Sequence, residues 1–276
     1  MDARHGLGNR FRAIASGAAI AARDNRELVV IWQPDHHCEC RLIDLINYRG
    51  ALIEEGFLRF AQTRGMSVYN YMEAEPGSIK DARIEMREGR DVYARSAYPL
   101  NSALTDWDAE NEFLRKLEIA NGVRDLLNPA LRGKNIGVHV RMEGGKGLDN
   151  KSYERAENWT TVSHRQLHRW RGKSHYSRFI RRLEDLILKD ADLTIFLAAD
   201  TRETYAAFRS RFGDRVAILE RDVFDRSAEQ IQYALADVLL LAECQRLLGS
   251  HWSSFSDLAV RMSQGFEFVE MSGRDF

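Results

Sequence analysis

Arg141 ends an apolar run, Asn135-Ile136-Gly137-Val138-His139-Val140-Arg141, that leads into Met142-Glu143-Gly144-Gly145-Lys146-Gly147. A short run rich in β-branched residues and followed by glycines reads as a buried parallel strand opening into a loop, and α/β proteins bind their ligands at such strand ends. A guanidinium is costly to bury without a partner, so the position of Arg141 calls for one. Two chemistries answer: an anion, a phosphate above all, gripped by the planar fork, or a carboxylate such as Glu143 or Asp149 in a structural ion pair.

Three other places put polar or glycine residues at a strand end or a helix start. Gly6-Leu7-Gly8-Asn9-Arg10 directly precedes a helical pattern, where glycines allow close backbone approach and a helix N-terminus favours negative charge. Asn9 there also reads as a helix cap. Asp200 follows Phe196-Leu197-Ala198-Ala199 and stands three residues before Glu203, the spacing of a reciprocal cap. The alternative for Asp200 is a carboxylate that accepts hydrogen bonds from a guanine edge or a sugar hydroxyl. Gly249-Ser250-His251-Trp252-Ser253-Ser254-Phe255-Ser256 passes from a strand into a helix through hydroxyls and amides, and Ser254 with Asp257 again fits a capping pair.

The elements that must carry these residues follow from periodicity. Phe11, Ile14, Ala15, Ala18 and Ala22 trace a helix face over 9–23, and Glu27 to Trp32 reads as a strand. No elements are assigned between Gly50 and Leu104, and one helix is expected from Trp107 to Leu127. Asn128 to Lys134 carries turn residues and looks like a crossing between two halves. Beyond it, strand and helix patterns alternate: a strand to Arg141, a helix bearing Tyr176, Phe179 and Leu183, a strand at 193–198, a helix with Tyr205 and Phe208, a strand at 216–219, and a helix with Ile231 and Leu235. Arg246 to Gly249, a helix with Leu258 and Met262, and a strand at 266–269 complete the series. Such alternation predicts an α/β fold with parallel, Rossmann-like sheets. At 276 residues two domains are expected, an N-terminal one over 1–132 and a C-terminal one over 133–276.

Bulk properties exclude several classes of function. Lys and Arg number 40 against 41 Asp and Glu, so no global field draws nucleic acid. No apolar run approaches the ~18–20 residues of a membrane span. The N-terminus lacks an apolar signal core and the three cysteines cannot build a disulfide framework, which together point to the cytoplasm. Asp35-His36-His37-Cys38-Glu39-Cys40 has metal-ligand residue types, but no second spaced pair follows, and an ordinary loop is expected there.

In their order along the chain, Gly-Leu-Gly-Asn-Arg before a helix, Ile-Gly-Val-His-Val-Arg on a strand, Phe-Leu-Ala-Ala-Asp, and a late Ser-Ser-Phe-Ser resemble the GDP-fucose-dependent fucosyltransferases. That group includes the protein O-fucosyltransferases, the core α1,6-fucosyltransferases and the rhizobial nodulation enzyme. The resemblance runs from Gly6 to about Val269. It implies the GT-B-like arrangement of two Rossmann-like domains facing a cleft, the first on the acceptor side and the second binding the GDP-sugar, with no metal ion or other cofactor. It implies further that Arg141 grips the donor pyrophosphate with help from Ser253, Ser254 and Phe255, that His139 and Asp200 hold the guanosine, and that Gly8, Asn9 and Arg10 face the phosphates and fucose.

Transfer from a sugar nucleotide builds negative charge on the departing diphosphate, which a fixed guanidinium and helix-end amides can stabilise in place of a divalent cation. Arg141 is thus the expected catalytic residue. Glu143, with Asp149 behind it, is the candidate base for a hydroxyl of a glycan or protein acceptor. Inversion at the anomeric carbon follows from the resemblance. The chain departs from the pattern in placing Met142 where relatives have a second basic residue, and in leaving only Met1 to His5 for the first strand. Two other functions fit the same motifs: transfer of another nucleotide sugar, and a non-catalytic protein that binds nucleotide sugars or glycans.

Overall fold

The computed structural model describes residues 1–73, 75–142 and 160–276. The chain divides into two compact units, Met1–Ala120 with Arg226–Ile231, and Asn121–Asp225 with Gln232–Phe276.

The first unit holds a five-stranded parallel sheet in the order β3-β2-β1-β5-β4. Its strands are β1 (Asp2–Ala3), β2 (Val29–Ile31), β3 (Ala51–Ile53), β4 (Ser67–Asn70) and β5 (Val92–Ser96). The helices are α1 (Leu7–Arg23), α2 (Leu58–Thr63) and α3 (Trp107–Arg115). Although only two residues long, β1 is central, pairing Asp2 with Ile31 on one side and with Arg95 on the other. The buried Asp2 carboxylate accepts from the Tyr93 hydroxyl and from Arg95 Nη1, both at 2.5 Å, so side chains brace a strand that has few ladder bonds of its own.

Three differences from the sequence reading have physical causes. The stretch from Gly50 to Leu104 contains β3, α2, β4 and β5; β3 and β4 are three and four residues long and half-buried throughout, so they lack the alternation that marks a strand. The helix expected from Trp107 to Leu127 stops at Arg115. There Asn47 N donates to Glu118 O (2.7 Å) and Ala120 N to Leu45 O (3.0 Å), pulling 118–120 into extended pairing before the single turn of α4 (Asn121–Arg124). A helix not anticipated, α5 (Thr161–Lys173), buries only Leu167 and Arg171, too few apolar positions to show as a stripe.

The second unit repeats the parallel theme in the order β10-β9-β6-β7-β8. Its remaining elements are β6 (Ile136–Val140), α6 (Tyr176–Ile187), β7 (Ile195–Ala199), α7 (Arg202–Phe212), β8 (Val216–Ile218), α8 (Ala228–Ala242, in this unit from Gln232 onward), β9 (Arg246–Ser250), α9 (Ser254–Met262) and β10 (Phe268–Ser272). The two-residue period of β6 sorts its side chains. Ile136, Val138 and Val140 join the core of Phe179, Leu183 and Phe208 from α6 and α7. Gly137 and His139 face the other way. A Cβ on Gly137 would stand 3.0 Å from Leu241 Cδ2 and 3.2 Å from Cys244 Sγ, so glycine is what lets the end of α8 lie so close to β6.

Candidate functional site

The site begins where the ladder of β6 gives out. β6 pairs with β9 as far as Val138 with Leu248, and with β7 as far as Val140 with Ala199. Beyond those points side chains take over the backbone bonds. Ser250 Oγ donates to His139 O at 3.0 Å and accepts from Arg141 N at 2.8 Å. On the opposite flank Asp200 Oδ1 accepts from Met142 N at 3.1 Å, and its Oδ2 accepts from Arg141 Nη1 at 3.0 Å. Side chains thus hold Arg141 and Met142 where the ladders stop, at the kind of strand end where parallel α/β sheets bind ligands.

His139 is 4% exposed. Its Nδ1 lies 2.7 Å from Ser256 Oγ, which also accepts from Ser250 N at 3.0 Å. The Phe255 ring stacks on the imidazole at 4.5 Å between centroids and 23° between planes. Burial, followed by the positive charges of Arg141 and Arg171, lowers the His139 pKa to about 3, so the ring is neutral at physiological pH. Gly249 makes this close packing possible: a Cβ there would fall 2.6 Å from Met271 Sδ and 3.0 Å from Ser256 Oγ.

The turn between β9 and α9 ends at Ser253, and Ser254 opens the helix. Ser253, not Ser254, occupies the N-cap and makes no side-chain capping bond, which corrects the pairing of Ser254 with Asp257 expected from spacing. The start of α9 therefore receives no capping bond from its N-cap side chain, and a helix N-terminus is where an anion is favoured. Trp252, in the middle of this turn, has φ of +59°, a left-handed conformation costly for a bulky residue. The cap expected between Asp200 and Glu203 is likewise replaced: Thr201 caps α7, accepting from Thr204 N, and that leaves Asp200 for Arg141 and Met142.

In the first unit, the turn from β1 to α1 carries the second motif. Gly6 is the N-cap of α1, so Asn9, expected to cap, lies inside the helix and accepts from Arg12 Nη2 at 2.6 Å. Gly8 is buried. Arg10, wholly buried, donates from Nε to His5 O (2.7 Å) and from Nη1 to Gln33 O (2.8 Å), pairs with Asp35 through Nη2 (2.9 Å) and lies over the Trp32 ring. These partners direct Arg10 inward, onto the turn it supports, whereas the motif suggested a guanidinium facing phosphate. His5, at φ +65°, brings its ring 5.1 Å from that of His37. Burial lowers the pKa of His5 to about 4 and of His37 to about 3. Burial raises the pKa of Asp35, but Arg10 and Arg4 outweigh it and hold the carboxylate charged.

The second unit thus gathers His139, Arg141, Asp200 and Phe255 at one sheet end, with Ser253 and Ser254 preceding Phe255 at the start of α9. Glu143, Lys146 and Asp149 lie outside the described residues. Arg171 was not singled out from sequence, although it is 7% exposed and its charge reaches His139. The readable signal was its place four residues after Leu167, on the only buried face of a basic helix. Among the described residues no three His, Cys, Asp or Glu side chains come together as a metal site, and no helix is long and apolar enough to cross a membrane. Cys38, Cys40 and Cys244 are free and buried.

No protein-family model and no curated protein sequence matches the chain. Solved structures do. The NodZ alpha-1,6-fucosyltransferase soaked with GDP-fucose aligns at TM-score 0.59 and 17% identity, over 95% of this chain and 91% of that one. The fucosyltransferase NodZ from Bradyrhizobium aligns at TM-score 0.58 and 17% identity, over 95% and 92%. POFUT1 in complex with GDP-fucose aligns at TM-score 0.54 and 11% identity, over 98% and 96%. The α/β fold expected from the sequence is therefore present as two parallel sheets, and the fold is similar to those of the NodZ and POFUT1 structures.

Proposed function

We propose that the chain is a glycosyltransferase that moves fucose from GDP-fucose to a hydroxyl of a glycan or protein acceptor, with inversion and without a metal ion. The observation that carries this reading is Arg141, fixed at the carboxyl end of the central strand β6 by Ser250 and Asp200, in a unit whose α9 starts at an N-cap serine that makes no side-chain capping bond. Its guanidinium stabilises the diphosphate as the sugar leaves. Fixed positive charge placed where negative charge develops is the usual large term in such catalysis, and it costs no reorganisation at the moment of reaction. The amides and hydroxyls of Ser253 and Ser254 assist at the phosphates. His139, neutral and pinned under Phe255, together with Asp200, supplies the polar edge that reads the guanosine. Arg10 acts from beneath the turn between β1 and α1, as a positioning residue for His5, Gln33 and Asp35. Glu143 remains the candidate base.

Isothermal titration with GDP-fucose, GDP, UDP and GDP-mannose in EDTA, followed by a transfer assay over glycan and protein acceptors, tests the reading. The expected result is heat with GDP and GDP-fucose, none with UDP, and fucosylated product. Heat from UDP instead would move the proposal to another nucleotide sugar. GDP-fucose binding with neither hydrolysis nor transfer would leave a binding protein of this fold.

A further inference from the structure

A cavity of about 380 Å³ opens within the first unit, at the carboxyl ends of β4 and β5 and beside α2. Leu58, Val68 and Pro76 give it an apolar wall, and Gln62, Asn70, Glu75 and Arg95 give it a polar one. Leu58 and Gln62 stand one helical turn apart on α2 and so project together.

The polar wall has already settled its charges. Arg95 donates from Nε and Nη2 to the Glu75 carboxylate, at 2.8 and 2.6 Å, and from Nη1 to Asp2 at 2.5 Å. Asn70 Nδ2 donates to Glu75 Oε2 at 2.8 Å. The Glu75 side chain keeps 30% of its surface exposed, against 14% for Arg95, so of the two charged groups lining the cavity the carboxylate is the more open. An anionic ligand would gain no cation free to receive it and would face Glu75. A hydrocarbon would strip water from the exposed amide of Gln62 and the open edge of Glu75 and return nothing. Hydroxyl groups, each donor and acceptor at once, match amides and a carboxylate edge, while the C–H face of a sugar ring matches Leu58, Val68 and Pro76.

We propose that this cavity is a subsite for one neutral pyranose ring of a saccharide. That the ring belongs to the acceptor rests on the transferase reading above; that it binds here does not.

The test is saturation-transfer difference NMR on the full chain with the methyl glycosides of glucose, galactose, mannose and N-acetylglucosamine, and with methyl glucuronide, for the wild type, Gln62→Ala and Leu58→Trp. At least one neutral glycoside is expected to receive saturation, with the signal falling at least fivefold in both variants and the glucuronide giving none. No signal from any neutral glycoside, a signal that survives Gln62→Ala in folded protein, or a preference for the glucuronide would each overturn the assignment. Gln62 carries the test alone where the larger tryptophan prevents folding. Titration of the same samples with GDP-fucose separates the two claims: glycoside binding that follows the cavity variants in a chain that ignores GDP-fucose upholds the saccharide subsite and removes the donor.

Discussion

Asp200 holds Arg141 by its side chain and by the backbone that follows: Oδ2 accepts from the guanidinium at 3.0 Å while Oδ1 accepts from Met142 N at 3.1 Å. The carboxylate is about as shielded as its partner, with side chains 12% and 13% exposed. Removing it takes one carboxylate from a largely buried cation and the acceptor from Met142 N, so Asp200→Ala should lower stability by about 2 kcal/mol. GDP affinity should fall at least tenfold because the guanidinium loses its aim. Asp200→Asn, which keeps an acceptor for Met142 N, should fall between. Urea unfolding with GDP titration decides; tighter GDP binding by Asp200→Ala would mean that Asp200 competes for the guanidinium and does not aim it.

Arg141 itself separates charge from geometry. Lysine retains the charge but not the planar fork, and pairing with Asp200 while gripping a diphosphate, as proposed, needs donors in fixed directions. Arg141→Lys should weaken GDP binding about tenfold and Arg141→Ala about a hundredfold, a loss of about 1.4 kcal/mol per factor of ten. Lysine that binds GDP as tightly as arginine would remove the bidentate grip from the mechanism.

The His139 pKa gives a signed pH effect. Its folded value of about 3 lies below the ordinary 6.5, so between these values the unfolded chain takes a proton that the folded chain refuses. Stability from this group is complete above pH 6.5 and drains away as the pH falls, by roughly 1.4 kcal/mol per pH unit once well below 6.5. His5 and His37 titrate in the same direction, so the readout is the difference between wild type and His139→Gln. That difference should shrink from pH 7 to pH 4.5. Parallel stability curves would show that His139 is not held neutral.

How much of this was legible depended on how each residue earns its place. β6 and β7 are fully buried on both faces, and such strands appear in sequence as unbroken apolar runs whose polar ends stand out, which is why Arg141, His139 and Asp200 could be read directly. Their partners could not. Ser250 and Asp200 meet the chain leaving β6 only because the ladders stop at Val138 on one side and Val140 on the other, a matter of register between segments far apart in sequence. Local spacing misled at Asp200 and Ser254, where Thr201 and Ser253, one residue away, take the cap positions. Nor could it show the partners of Arg10, since His5, Gln33 and Asp35 come from two separate turns.

Gly249 tests whether packing behind the site governs it. An added methyl would meet Met271 Sδ and Ser256 Oγ, and Ser256 is the residue that joins His139 to Ser250 N. Overpacking of this kind costs about 1–3 kcal/mol. Gly249→Ala should show that loss together with weaker GDP binding, and a Met271→Ala change should restore part of the stability by clearing the nearest contact. Gly249→Ala with wild-type stability and affinity would mean that the strand end yields freely and that glycine is not required there.

Arg10 distinguishes support from contact. It is fully buried, and its three nitrogens reach His5 O, Gln33 O and Asp35, so lysine, with one ammonium on a flexible stem, cannot replace all three. Breaking a buried pair from one side costs about 3–5 kcal/mol in other proteins, and Arg10→Lys, which keeps a charge for Asp35, should lose about 2–3 kcal/mol. GDP affinity, measured well below the melting range so that all of the variant is folded, should stay within threefold of wild type. The opposite pattern, unchanged stability with GDP binding lost, would place the guanidinium on the phosphates and make Arg10 a donor contact. Arg4 sharpens the comparison, since it also pairs with Asp35, at 3.2 Å, from a position with 15% of its side chain exposed. Arg4→Ala should cost less stability than Arg10→Lys, because water can reach the charge it leaves behind.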